Sequence, residues 1–145
     1  MSFPAPQPGL VIRHAFLWSH EHAAGADEAA KDRPCAIVVA TSAGESGAVT
    51  TIVAPITHRP PDNSHASIEI PPATCRELGF DAGRHWLRLD ELNRFTWPGY
   101  DLRPIPGRTE DFAYGMLPPA LFERLRQGIL ALQRARQTHV QDRDG

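Results

Sequence analysis

Two apolar segments on either side of a glycine-containing turn constrain the fold of this chain more than any other feature. Residues 35–40 are continuously apolar, which is typical of a strand that is buried on both faces. Residues 44–47 supply turn chemistry, and residues 48–57 return as a second strand. The pattern predicts a β-hairpin in which Arg33 lies just before the first apolar run and Thr57 closes the second.

Two helices are predicted. Residues 72–78 begin with proline and are followed by Gly79, which suits the position just after a helix end. From Pro118 onward, four apolar residues recur at helical spacing and form one stripe of an amphipathic helix. They are Leu121, Leu125, Ile129 and Leu132.

The remaining pattern is that of several short strands. Residues 9–18, 66–70 and 85–89 favour strands, and the third can continue through Phe95. Short strands followed by one terminal helix predict a mainly β protein, a small antiparallel barrel with the C-terminal helix packed against it.

Length and charge limit the function classes. The 145 residues fit one domain, here residues 9–137, with disordered residues 1–8 and 138–145 at the ends. The net charge of −2 counts against a nucleic-acid binder unless the charge is segregated.

Cys35 and Cys75 do not have a metal-binding spacing and are expected to be reduced structural thiols. The sequence shows no signal peptide or membrane span, which predicts a cytoplasmic protein without a membrane partner.

Four further features occur in a characteristic order. Residues 9–12 are a glycine-led hydrophobic strand start, and residues 25–34 lead from glycine through acidic residues to Arg-Pro. Residues 53–57 end a strand in Pro-hydrophobic-Thr, and residues 90–95 read Asp-Glu-Leu-Asn-Arg-Phe. Together they resemble the MazF/PemK family of toxin–antitoxin endoribonucleases, over residues 9–132.

The resemblance implies an SH3-like barrel of the MazF/PemK/CcdB type. It implies a type II toxin, a growth inhibitor that cleaves single-stranded RNA without a metal or other cofactor and leaves a 2′,3′-cyclic phosphate and a 5′-hydroxyl. It also implies a homodimer that a cognate antitoxin protein inhibits by lying across the RNA groove.

Arg33 and Thr57 are the candidate catalytic residues. RNA cleavage by the 2′-hydroxyl passes through a phosphorane that carries extra negative charge, and a guanidinium offers two parallel donors to it while a hydroxyl offers one more. Arginine is a poor proton acceptor, so charge stabilisation is the expected role of Arg33. In the alternative interpretation, Arg33 pairs with Asp32 or Glu28, and Thr57 merely ends a strand.

Candidate RNA contacts lie near this pair and further along the chain. Strand alternation returns Arg59 to the face of Thr57 and sends His58 to the other face, so Arg59 is the better phosphate contact and His58 a weaker candidate for proton transfer. Glu28, Arg94 and Tyr100 complete the predicted RNA-binding set. Aromatic residues interleaved with arginines over residues 94–114 suit unstacked bases, but the same rings can instead fill the core.

His20, Glu21 and His22 raise a metal hypothesis. Two histidines at i and i+2 suit a ligand pair on a strand, whereas this segment has the pattern of a loop and lacks a companion cluster. A solvated loop is therefore predicted, and no metal site.

Two other function classes compete with the ribonuclease. The first is a PemK-like barrel retained as a non-catalytic binding module, favoured by the acidic net charge, by Leu10 where the family has Asp, and by the altered residues 91–94. The second is inhibition of a protein target such as DNA gyrase, which no residue supports directly.

Overall fold

Eight strands and two helices make up the regular structure of the described residues. The computed structural model describes residues 3–20, 31–43, 47–108 and 111–144. In chain order the elements are β1 (Leu10–Phe16), β2 (Lys31–Ala43), β3 (Ala48–Thr57), a 3-10 turn (Ser64–Ala66), β4 (Ser67–Glu69), α1 (Pro72–Glu77), β5 (Trp86–Arg88), β6 (Glu91–Thr96), β7 (Ala113–Met116), α2 (Pro119–Arg134) and β8 (His139–Asp142).

The predicted hairpin is confirmed and forms the centre of the sheet. β2 and β3 pair antiparallel, with Cys35 opposite Pro55. Residues 50–53 of β3 also pair with β6 along the other edge, and the last two residues of β3 pair with β5. β3 is therefore paired on both edges over residues 50–53, and β5 alone pairs with its end, which carries Thr57.

The sheet is open, in contrast to the predicted closed barrel. The strand order is β4-β5-β3-β2-β1-β7, with β6 joined to β3 and β8 joined to β6. Within the described residues β4 and β7 each pair along one edge only, and they are three and four residues long. Closure would need a ladder between the outer strands, which these pairings do not contain. The protein is nevertheless mainly β and largely antiparallel, with a C-terminal helix.

Apolar side chains of β2 enter two separate cores. Ala36 and Val38 belong to one core, and Cys35 and Ile37 to the other, as alternation along a strand requires. The predicted burial on both faces is confirmed for these four residues. It ends at Val39, where the β2–β3 register shifts and the side chain becomes 37% exposed.

The C-terminal helix covers one of these cores with the predicted stripe. All four stripe residues are buried. A Cβ at Gly128 would lie 2.7 Å from Leu89 Cδ1, so the absence of a side chain lets α2 approach the end of β5 closely. Neither α2 nor any other helix in the described part of the chain is long and apolar enough to cross a membrane.

Residues 139–144 contact the sheet, whereas the sequence predicted a disordered tail over residues 138–145. β8 pairs with β6 in parallel, with His139 opposite Glu91. Arg143 donates two hydrogen bonds to the Asp101 carboxylate, at 3.1 and 3.2 Å. The Asp144 carboxylate accepts from the backbone N–H and the hydroxyl of Thr96. Order in this segment comes from contacts with residues some forty positions earlier, which its polar composition does not reveal.

Polar groups inside the sheet fix β6 against the end of β1. The Asn93 side chain accepts from the backbone N–H of Leu17 (2.9 Å) and donates to its carbonyl (2.8 Å). The same Asn93 oxygen lies 3.2 Å from His14 Nε2, so this nitrogen must carry the proton. Burial lowers the pKa of His14 to about 4. The imidazole is therefore neutral at physiological pH.

Both cysteines are buried free thiols, as expected. Burial raises the pKa of Cys35 and of Cys75. A thiol that stays protonated is a poor nucleophile, so these residues act in packing.

Candidate functional site

A cleft of about 670 Å³ opens where β2 begins and β3 ends. Arg33, Thr57, His58 and Arg59 all line it. The antiparallel β2–β3 register, continued by two residues beyond its last pair, places Arg33 opposite Thr57. The sheet thus brings the two predicted catalytic residues into one cleft, which we call the first cleft.

A second cleft of about 440 Å³ adjoins the first. Arg33, Thr57 and Arg59 line both, so these three side chains form the ridge between them. The backbone N–H of Arg59 donates to the Thr57 hydroxyl oxygen at 3.1 Å. The hydroxyl therefore accepts from the protein and keeps its own proton available for donation to a ligand.

His58 lines the first cleft together with Thr57, although strand alternation predicts that the two side chains face apart. β3 ends at Thr57, so His58 lies outside the sheet, where strand alternation no longer dictates side-chain direction. The expectation still holds for the second cleft, which Thr57 and Arg59 line without His58.

Charge is segregated in the first cleft. The chain carries a net charge of −2, whereas the described lining of this cleft is basic. Arg13 donates to the Tyr114 hydroxyl at 3.0 Å, which holds both side chains at the wall. This segregation is what an acidic protein needs to bind a polyanion. The lining contains the basic residues Arg13, Lys31, Arg33 and Arg59 and the carboxylates Asp32 and Asp81.

An aromatic ring helps to orient Arg33. The guanidinium carbons of Arg33 and Arg88 each lie 5.1 Å from the centroid of the Trp18 ring, within cation–π range. Next to Trp18, Ser19 donates its backbone N–H and its hydroxyl to the Glu91 carboxylate, both at 2.7 Å. Sequence reasoning missed Trp18, whose only signal is an aromatic residue two positions after a buried strand.

A second group of polar side chains lies on the first cleft and was also missed. Asp81 Oδ1 lies 3.2 Å from His85 Nε2 and 3.6 Å from His58 Nε2. His85 is buried, and burial followed by the neighbouring His58 lowers its pKa, although Asp81 and the backbone of Gly83 oppose the shift. Asp81 and His85 lie in the loop after α1, and no sequence pattern links that loop with the end of β3.

The other predicted site residues lie elsewhere. Arg94 is exposed on β6 and pairs with Asp142 at 3.2 Å, and Tyr100 is 96% exposed; neither lines a cleft described above. Phe112 and Trp97 pack in a core, so for these two rings the core interpretation holds. Glu28 lies outside the described residues.

The histidines of the earlier metal hypothesis are described only in part. His20 lines the second cleft, together with Arg59, Asp62 and Arg88. Glu21 and His22 lie outside the described residues, as do Asp27 and most of the loop before β2.

Comparison with known proteins does not place the chain in a family. No protein-family model matches it, and no curated protein matches it either.

Proposed function

We propose that the first cleft binds single-stranded RNA and cleaves it without a metal ion. The observation that carries this proposal is the convergence of Arg33, Thr57 and Arg59 in a basic cleft on an otherwise acidic protein. Guanidinium groups match phosphate in geometry as well as charge, and Tyr114 offers a ring in the same wall on which a base can stack.

The proposed reaction uses the RNA's own 2′-hydroxyl. The 2′-oxygen loses its proton and attacks the adjacent phosphorus, and the bond from phosphorus to O5′ breaks as O5′ gains a proton. The products are a 2′,3′-cyclic phosphate and a 5′-hydroxyl. Arg33 and Thr57 donate hydrogen bonds to the phosphorane oxygens, where negative charge accumulates. His58 supplies the proton-transfer chemistry that a guanidinium lacks.

We extend the proposal to the fold and to the biological role. A central β3 that pairs with β2, β6 and β5 supports an SH3-like arrangement related to MazF/PemK proteins. The protein would then be a type II toxin that inhibits growth as a cytoplasmic homodimer and is silenced by a cognate antitoxin. Sedimentation at micromolar protein concentration tests the homodimer, which a monomeric species would contradict.

Cleavage in the presence of EDTA is the first test of this function. We expect the purified chain to cut unstructured RNA under these conditions, because charge stabilisation comes from side chains. The fragments should carry 5′-hydroxyl ends that a polynucleotide kinase can label. Cleavage that needs an added metal ion, or fragments with 5′-phosphates, would contradict the mechanism.

His58→Ala should reduce the cleavage rate by roughly two orders of magnitude or more, the usual contribution of a positioned acid or base. His65→Ala is the matched control, because His65 is also exposed but lies in the 3-10 turn and lines neither cleft. An unchanged rate in His58→Ala would remove His58 from the mechanism.

A non-catalytic binding module is the second candidate function. The carboxylates of Asp62 and Glu91 in the second cleft favour it, because they repel a phosphate chain that runs across both clefts. No cleavage of any RNA by a correctly folded protein would support this module over the ribonuclease.

A further inference from the structure

We propose that His58, Asp81 and His85 form a binding site for a divalent transition-metal ion, with Zn²⁺ as the best-matched occupant. The three side chains come from the end of β3 and from the loop between α1 and β5. Each offers one ligand atom, and these atoms all lie within 4.8 Å of one another. The inference does not depend on the proposed ribonuclease activity. A bound ion would occupy the His58 nitrogen that proton transfer needs, so Zn²⁺ should inhibit the cleavage that is assayed in EDTA.

The distances within the cluster fit a tetrahedral ion. Zinc binds histidine nitrogen and carboxylate oxygen at about 2.0–2.2 Å, so two ligands of a tetrahedral site lie about 3.3 Å apart. Asp81 Oδ1 is 3.2 Å from His85 Nε2 and 3.6 Å from His58 Nε2. Two edges of the tetrahedron therefore exist already, and a small rotation of the exposed His58 side chain can complete the third.

One ligand is fixed and two are accessible. The His85 ring is buried, its centroid lies 5.0 Å from that of Phe80, and its backbone carbonyl accepts from Ile70 N–H at 2.8 Å. The side chains of His58 and Asp81 are 62% and 71% exposed. A rigid histidine at the base of the cleft can thus hold an ion that the other two residues enclose from the solvent side.

The ligand types select the class of metal. Two imidazoles and one carboxylate suit zinc and other late first-row ions, whereas calcium and magnesium prefer sites made of oxygen alone. The centroids of the His58 and His85 rings are 4.3 Å apart, so both imidazoles can reach one ion. Neutral imidazole is the form that binds metal.

All three ligands line the first cleft, so a bound ion would be accessible from it. Three protein ligands leave tetrahedral zinc with one exchangeable position, which water can occupy. The ion would also add positive charge to the wall that carries Arg33 and Arg59.

Metal titration of the full-length chain tests the site. After treatment with EDTA and its removal, Zn²⁺ binding is measured by competition with a chromophoric chelator, and Co²⁺ binding by visible absorption. We expect one ion per chain with micromolar or tighter affinity, and a Co²⁺ spectrum of tetrahedral intensity. His58→Ala and Asp81→Asn should each weaken binding by about 100-fold or more, since loss of even an outer-shell partner typically costs 10–100-fold.

The controls separate this cluster from other ligands. His65→Ala removes an exposed histidine outside the cluster and should leave binding unchanged. His85→Ala should also weaken metal binding if the variant folds. If it does not fold, the variants of the two exposed ligands, His58→Ala and Asp81→Asn, are sufficient to test the site. No binding at micromolar metal, or equal binding by wild type and the His58→Ala/Asp81→Asn double variant, would overturn the proposal.

Discussion

Arg33→Ala should lower the rate of RNA cleavage by roughly two to three orders of magnitude, the scale for losing one preorganised charge-stabilising group. Arg33 contacts the Trp18 ring and lines both clefts, so its guanidinium is held near the proposed position of the phosphate. The measurement is the initial rate on an unstructured RNA in EDTA, with wild-type and variant protein purified identically. Circular dichroism of the variant confirms that the fold is retained.

Three further variants show whether the effect of Arg33→Ala is specific to the guanidinium group. Arg33→Lys keeps the charge but loses the two-donor fork, and should recover only part of the rate. Thr57→Ala should lose less activity than Arg33→Ala, because it removes one neutral donor. Arg124→Ala, on the exposed face of α2, should leave the rate unchanged. Full activity in Arg33→Ala would refute the proposed chemistry.

Leu125→Ala should lower the free energy of unfolding by about 2–5 kcal/mol, as large-to-small changes in a core do. Leu125 is fully buried in the core beneath α2, and truncation leaves a cavity that the surrounding sheet cannot fill. Urea denaturation followed by circular dichroism measures the change as a shift of the midpoint. The slope of the transition should stay the same, because the surface exposed on unfolding is nearly unchanged.

Leu130→Ala is the matched control for this experiment. The same atoms are removed from the same helix, but Leu130 is only half-buried. Its loss should therefore cost clearly less than that of Leu125. Equal costs at the two positions would mean that α2 does not pack by the leucine stripe.

Local periodicity determined the central hairpin and the terminal helix. The apolar run of β2 and the returning β3 follow from residues that are neighbours in sequence, and β3 was predicted to the residue. The α2 stripe follows likewise from the helical repeat. A β-turn and a helix depend mainly on contacts between residues that are close in sequence. Both elements can therefore be predicted from the sequence pattern.

The positions of Arg33 and Thr57 at strand ends could be read from the sequence, and both residues line the first cleft, but the surroundings of His58 could not be derived. The period-two rule applies only while the ladder continues, and it stops at Thr57. The position of the residue after a strand depends on what packs against it. For His58 that partner is His85, which lies in the loop between α1 and β5.

Contacts between distant segments decided the rest. The parallel pairing of β8 with β6, the open edges of the sheet, and the His58–Asp81–His85 cluster all join residues that are far apart in the chain. Each of these features depends on how separate elements pack against one another. That packing is determined by burial and hydrogen bonds that form only in the complete fold. The sequence by itself therefore determined the elements and the two residues at the strand ends. Only the tertiary structure decided what surrounds them, because proximity across a sheet leaves no periodic signal in the chain.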